Sequence, residues 1–281
     1  MSLWLRPRPG RPYLAGSPML VAHRGGAALA PENTMVAFRR AIDVWGADML
    51  EMDVQLTADG EVVVIHDRTV DRTTDGAGPV ARMTSEEIRS LDAGYRFVDD
   101  QGRHPFRGTG ITVPTFEEVL VSCPSVRFTV EVKDPAAAGP LADAVARHAA
   151  EARVLIASEH ERRRRGARGY AGPWGASRWQ VLTFWLTHRL PGGGPYTPEA
   201  DVLQIPEWWK GRRIVTPRLV EQAHRRNLPV QVWTVDDADT MYKLLDWGVD
   251  GIQTDRPDLL AGVLTERVGR PPPPGFPPGA P

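Results

Sequence analysis

Short apolar runs alternate with helix-period segments along most of this chain, and several of the runs end on charged or imidazole residues rather than on turn formers. The first run, residues 19–22, passes directly into His23-Arg24-Gly25-Gly26. A helix is predicted next over 33–45, because Phe38, Ala41, Ile42 and Trp45 recur at the spacing of one helical face and Gly46 follows as a stop. Strands are expected at 48–56 and 61–66 around the turn signal Ala58-Asp59-Gly60. The segment 68–113 breaks the alternation and reads as an insertion, with a short helix opened by the capping box Thr84/Glu87. Thr115/Glu118 repeats that signature before the strand 126–132.

Farther on, the pattern predicts a helix at 141–150 and strands at 153–157, 178–185 and 201–205. Thr216-Pro217 supplies a cap and first-turn proline for a helix to 227, and a strand at 229–235, a helix at 238–247 and a strand at 251–254 complete the series. About eight strands with intervening helices favour a (β/α)₈ TIM barrel with a small insertion after the second or third strand. No dinucleotide or nucleotide phosphate loop supports an open sheet instead. We divide the chain into an N-terminal extension (1–18), a barrel (19–265, insertion about 68–113) and a proline-rich tail (266–281). The composition of both ends predicts loosely ordered chain.

Composition narrows the setting. The 281 residues are 42% hydrophobic with a formal net charge of −1, so nothing global favours nucleic acid or an anionic surface, and any anion recognition must be local. The single cysteine, Cys123, excludes an intramolecular disulfide. Residues 1–19 are too broken by proline and arginine for a signal-peptide core, and no apolar stretch is long enough to span a bilayer. A cytoplasmic protein is the default expectation, and oligomeric state is left open.

The candidate chemistry lies where parallel strands should be apolar: His23-Arg24, Glu51-Met-Asp53, His66-Asp67 and Glu131-Val-Lys133. Residues two apart on a strand share a face, so Glu51 pairs with Asp53 and Glu131 with Lys133. Three converging acids call for a cation, and all-oxygen ligands point to one hard divalent metal, Mg²⁺ or Ca²⁺. With Arg24 and Lys133 added, the site carries about one surplus positive charge, a match for a phosphodiester. His23 and His66 then suit an acid/base pair on either side of phosphorus. The remaining histidines and the Arg162–Arg165 run read as surface or packing residues, and Asn33 and Thr34 as helix caps.

These motifs, together with Pro31-Glu-Asn-Thr34, Trp233-Thr234-Val235 and Gly251-Ile-Gln-Thr-Asp255-Arg-Pro257, occur in an order that resembles the glycerophosphodiester phosphodiesterase family over roughly 20–264. The resemblance implies a metal-dependent barrel enzyme that converts glycerophosphodiesters to sn-glycerol 3-phosphate and an alcohol. It places Glu51, Asp53 and Glu131 on the metal, His23 and His66 in catalysis, and Arg24 and Lys133 on the phosphate. Attack by the glycerol 2-hydroxyl through a cyclic phosphate is the expected route. Trp233, with Asp255, is open between packing or capping and a substrate-binding place at the pocket floor. The tryptophans at 174, 179, 185, 208 and 209 read first as core. A lipid-facing role for them would favour lysophospholipid substrates, and a non-catalytic glycerophosphodiester-binding barrel is the third reading.

Overall fold

The structure, a computed structural model, describes residues 7–276. Its strands are β1 (Met19–Ala22), β2 (Met49–Leu56), β3 (Val62–Val64), β4 (Arg127–Val132), β5 (Val154–Ala157), β6 (Leu203–Pro206), β7 (Trp208–Trp209), β8 (Arg212–Arg213), β9 (Val230–Trp233) and β10 (Gly251–Thr254). The helices are α1 (Met35–Asp43), α2 (Ser85–Arg89), α3 (Phe116–Ser122), α4 (Ala138–Arg147), α5 (Arg178–Thr187), α6 (Pro217–His224), α7 (Ala238–Asp246) and α8 (Pro257–Val268).

Seven parallel strands form one curled sheet in the order β5-β4-β2-β1-β10-β9-β6, with β3 antiparallel on β2. Two parallel bridges close the remaining gap, Ile156 with Trp174 and Gly175 with Val202. Trp174–Gly175 is therefore the eighth stave of a TIM barrel, and only two residues long. The strand expected at 178–185 is overturned: that segment is α5. Its Val181, Phe184 and Trp185 pack on the core at helical spacing while Trp179 and Leu186 point outward. Apolar residues on both faces erase the periodicity that distinguishes helix from strand.

The interior is graded along the barrel axis. Tyr13, Leu14, Met19, Val21, Met49, Leu155 and Val202 fill the floor. Above them Gln204 donates to Thr129 Oγ1 at 3.2 Å and to Gln231 Oε1 at 3.0 Å, which satisfies amides that a wholly apolar barrel would leave unpaired. The outward residues Leu50, Met52, Val54, Phe128, Val130 and Val132 pack under the helices. The insertion keeps a small core of its own around Val70, Val80, Ile88 and Val113.

The described parts of both ends pack against the barrel, where composition alone predicts loose chain. Tyr13 is 2% exposed and donates to the Phe128 carbonyl at 2.7 Å, so the segment before β1 plugs the floor. At the other end Arg270 pairs with Asp48, and Phe276 meets Trp45 edge to face at 6.2 Å. Packing of one aromatic ring at each end, buried for Tyr13 and half-buried for Phe276, opposes the extended-chain preference of proline-rich sequence. Residues 1–6 and 277–281 lie outside the described residues. Among those described, no helix is long and apolar enough to cross a membrane.

Candidate active site

β1 ends at Ala22, and the chain turns sharply through His23-Arg24-Gly25-Gly26. The glycines are required here: both have left-handed φ, and a Cβ on Gly25 would lie 2.7 Å from Ala37 Cβ while one on Gly26 would lie 2.8 Å from Pro257 Cγ. The tight turn seats His23 over the mouth, where Nδ1 lies 2.6 Å from Asp255 Oδ1 and Nε2 lies 3.9 Å from Glu51 Oε2. Burial opposes the imidazolium, but the Asp255 hydrogen bond and the Glu51 charge outweigh it and raise His23 to about 8.

β2 and β4 pair in parallel with Asp53 opposite Glu131. Inward alternation then reads Met49, Glu51, Asp53, Gln55 on one strand and Thr129, Glu131, Lys133 on the other, from floor to mouth. Glu51, Asp53 and Glu131 each offer an oxygen within 4.8 Å of the others. Burial, and then Asp53 beside it, push the Glu51 carboxyl up to about 8. Burial also opposes ionisation of Asp53, yet Lys133 and Arg24 hold its carboxyl below the usual range.

The cations of the site are committed to these acids. Lys133 Nζ lies 3.1 Å from Asp53 Oδ1 and 2.8 Å from Glu131 Oε2. Arg24 Nε lies 3.0 Å from Asp53 Oδ2 and Nη1 lies 3.0 Å from Glu32 Oε1. Asp53 Oδ1 and Arg24 Nε are buried without a well-aligned hydrogen bond, so proximity of charge is what holds them. The donor set fits one hard divalent cation: three carboxylate oxygens, one of them buried and lacking a hydrogen bond, span about the distance between opposite ligands of such an ion.

On the other side His66 Nδ1 lies 2.5 Å from Asp67 Oδ1, and Gln55 Nε2 donates to the His66 carbonyl at 2.9 Å. Arg72, from the insertion, reaches Asp67 Oδ2 at 2.6 Å and both oxygens of Glu32 at 2.7 Å. The Arg72 hydrogen bond pulls the Asp67 carboxyl down to about 2.

Five residues here go beyond the sequence expectation. Glu32, Asp67 and Arg72 form the link from Arg24 to His66, and Asp255 holds His23. Asn33 is not merely a helix cap. Its amide donates to Asp53 Oδ2 at 3.2 Å from a left-handed backbone (φ 58°), while Thr34 alone caps α1 through Ala37 N. Glu32, Asn33, Asp67 and Asp255 all sit inside the quoted motifs, so their signal was present. Arg72 lies in the insertion, where nothing in the pattern marked it.

Trp233 is half-buried at the end of β9 and lines an open cavity of about 340 Å³ with Pro206, Glu207, Trp208, Val235 and Thr240. The tryptophans of 174–209 divide: Trp174 and Trp185 pack on the core, whereas Trp179, Trp208 and Trp209 are exposed.

A sequence model of the glycerophosphoryl diester phosphodiesterase family matches residues 23–259. A glycerophosphodiester phosphodiesterase of Caldanaerobacter subterraneus subsp. tengcongensis is 35% identical over 255 residues, covering 88% of this chain and 97% of that protein. The crystal structure of a glycerophosphodiester phosphodiesterase from Agrobacterium tumefaciens superposes with TM-score 0.68 at 30% identity, covering 87% of this chain and 99% of that one. A phosphodiesterase of Oleispira antarctica in complex with the product sn-glycerol-3-phosphate shares the fold, with TM-score 0.70 at 23% identity, over 88% of this chain and 97% of its own. With the motifs in order around one mouth of a closed barrel, the chain belongs to the glycerophosphoryl diester phosphodiesterase family.

Proposed function

We propose that this chain hydrolyses glycerophosphodiesters to sn-glycerol 3-phosphate and an alcohol by histidine acid/base catalysis at a single divalent cation, Mg²⁺ or Ca²⁺. The observation that carries this reading is the convergence of Glu51, Asp53 and Glu131 beside two histidines whose Nδ1 atoms are each held by a carboxylate. The sn-glycerol-3-phosphate in the Oleispira relative supports the product class.

Glu51, Asp53 and Glu131 would hold the cation, which when bound supplies positive charge to the phosphoryl oxygens and to a nearby hydroxyl. The chain's own residues do the rest. Asp255 and Asp67 fix each imidazole with Nδ1–H toward a carboxylate, leaving Nε2 as the nitrogen that exchanges protons. One imidazole takes the proton of the glycerol 2-hydroxyl as its oxygen bonds to phosphorus. The other gives a proton to the alcohol oxygen as its bond to phosphorus breaks, leaving a cyclic phosphate. Water then opens the ring with the two roles exchanged. Arg24 and Lys133, both kept charged by adjacent acids, would turn part of that charge to the phosphate oxygens.

A second reading, lysophospholipid hydrolysis, is favoured by the cavity beside the indoles of Trp208 and Trp233. Release of sn-glycerol 3-phosphate from glycerophosphocholine, compared with release of choline from lysophosphatidylcholine, tests both with Mg²⁺, with Ca²⁺ and with EDTA. Turnover that EDTA leaves untouched overturns the metal-dependent mechanism, and no turnover of either substrate overturns the function.

A further inference from the structure

The mouth of the barrel carries a face that the proposed chemistry does not use. After β6 the chain forms a tight hairpin, β7–β8, whose turn residues Lys210 and Gly211 both adopt left-handed φ (47° and 72°), the geometry of a well-formed two-residue turn. The hairpin is joined to the first turn of α5, since the Arg178 guanidinium lies 5.0 Å from the centre of the Trp209 ring. Trp179 is 72% exposed, Trp208 50% and Trp209 39%, an unusual outlay of large apolar surface for a water-facing rim.

We propose that this face docks on the surface of an anionic lipid bilayer. Indole rings prefer the boundary between acyl chains and headgroups, because one part of the ring is apolar and the N–H seeks water. Charge selects the kind of surface. In a chain of net charge −1, the indoles here are interleaved with Arg178, Lys210, Arg212 and Arg213, all exposed. Arg213 lies 4.5 Å from the Trp208 ring centre and Lys210 lies 5.0 Å from that of Trp209. The one acid of the hairpin segment, Glu207, is held by Lys243 at 2.9 Å and also lies 3.7 Å from Arg213. Its side chain is 11% exposed, so what the hairpin itself presents outward is aromatic and cationic. Such a surface complements anionic headgroups through both apolar contact and charge. Docking goes beyond the catalytic reading and is measurable without turnover.

The test is co-sedimentation with sucrose-loaded vesicles of phosphatidylcholine alone and of phosphatidylcholine mixed with phosphatidylglycerol. The wild-type chain is expected to pellet with the mixed vesicles and to be released by salt. W179A/W209A and K210E/R212E should each weaken that binding by about tenfold or more, while glycerophosphocholine turnover, a water-soluble control for fold and site, stays at the wild-type level. Wild-type protein that ignores anionic vesicles, variants that bind them as well as wild type, or a wild-type dimer that W179A/W209A converts to monomer would each overturn the proposal. Vesicle binding that persists when no form turns over glycerophosphocholine would leave the docking standing and remove the catalytic reading.

Discussion

His23 and Asp255 stand 232 residues apart in sequence, yet Nδ1 of the first lies 2.6 Å from Oδ1 of the second. The contact exists because β1 and β10 are neighbours in register, with Ala22 opposite Thr254, so the residues after each strand meet at the mouth. Asp255→Asn removes the charge and keeps the shape. In metal-free protein, the His23 pKa should fall from about 8 toward 6.5, as read by histidine proton NMR. A raised folded pKa contributes about 2 kcal/mol, fully present below pH 6.5 and lost as pH rises through 8. The variant should lose that pH-dependent share and, with it, turnover by about 10- to 100-fold.

Cation binding and proton release should be linked. Glu51 is pushed up to about 8 by burial and by Asp53, so the metal-free site binds protons more readily than exposed carboxylates do. Mg²⁺ or Ca²⁺ competes with those protons, and apparent affinity should rise with pH up to about 8 before flattening. Calorimetry in two buffers of different ionisation enthalpy reads the protons released; a heat independent of buffer would sink the linkage.

Asp53→Asn and Glu131→Gln should separate stability from activity. Asp53 is 1% exposed between the half-buried Arg24 and Lys133, so its loss takes one of two carboxylate partners from each and should cost about 2–3 kcal/mol in denaturant unfolding. Glu131 has a side chain 23% exposed and one ion pair, so Glu131→Gln should cost about 1 kcal/mol or less. Both should abolish cation-dependent turnover.

His23→Ala and His66→Ala should each lower turnover by about 10²–10⁴-fold while cation affinity stays near wild type. Metal titration followed by calorimetry, with circular dichroism for the fold, distinguishes a lost proton carrier from a damaged site. Either variant at near wild-type rate removes that histidine from the mechanism.

Tyr13 tests the plug before β1. Tyr13→Phe loses the bond to the Phe128 carbonyl and should cost about 1 kcal/mol, whereas Tyr13→Ala opens the floor and should cost about 3–5 kcal/mol in the same unfolding assay. A neutral Tyr13→Ala would show that the segment adds nothing to the barrel.

The parts of the molecule legible in sequence were those where one physical rule dominated. Strand ends at 23, 51–53 and 131–133 stood out because charge interrupts a run that burial should keep apolar, and the capping boxes at Thr84 and Thr115 form as their spacing predicts. The reading failed where two rules compete. At 178–185, β-branched and aromatic residues suggested a strand, but a helix with both faces apolar is built there and the stave is Trp174–Gly175 just before it. Proline composition hid the buried ring of Tyr13 and the packed, half-buried ring of Phe276. Arg72 escaped because its partners, Glu32 and Asp67, become neighbours only when the insertion folds back over the mouth.

That two-residue stave gives the cylinder an uneven wall. β2 and β4 are stitched along six registered pairs, and they carry every carboxylate proposed to hold the cation. Directly across the ring from β1, a two-residue stave with one bridge on each side links β5 to β6. Breathing of the closed ring, seen as the earliest amide exchange, should therefore start at Trp174 and Gly175. Such motion would loosen the flank around Trp174 and Gly175 while the flank that carries Glu51, Asp53 and Glu131 stays rigid.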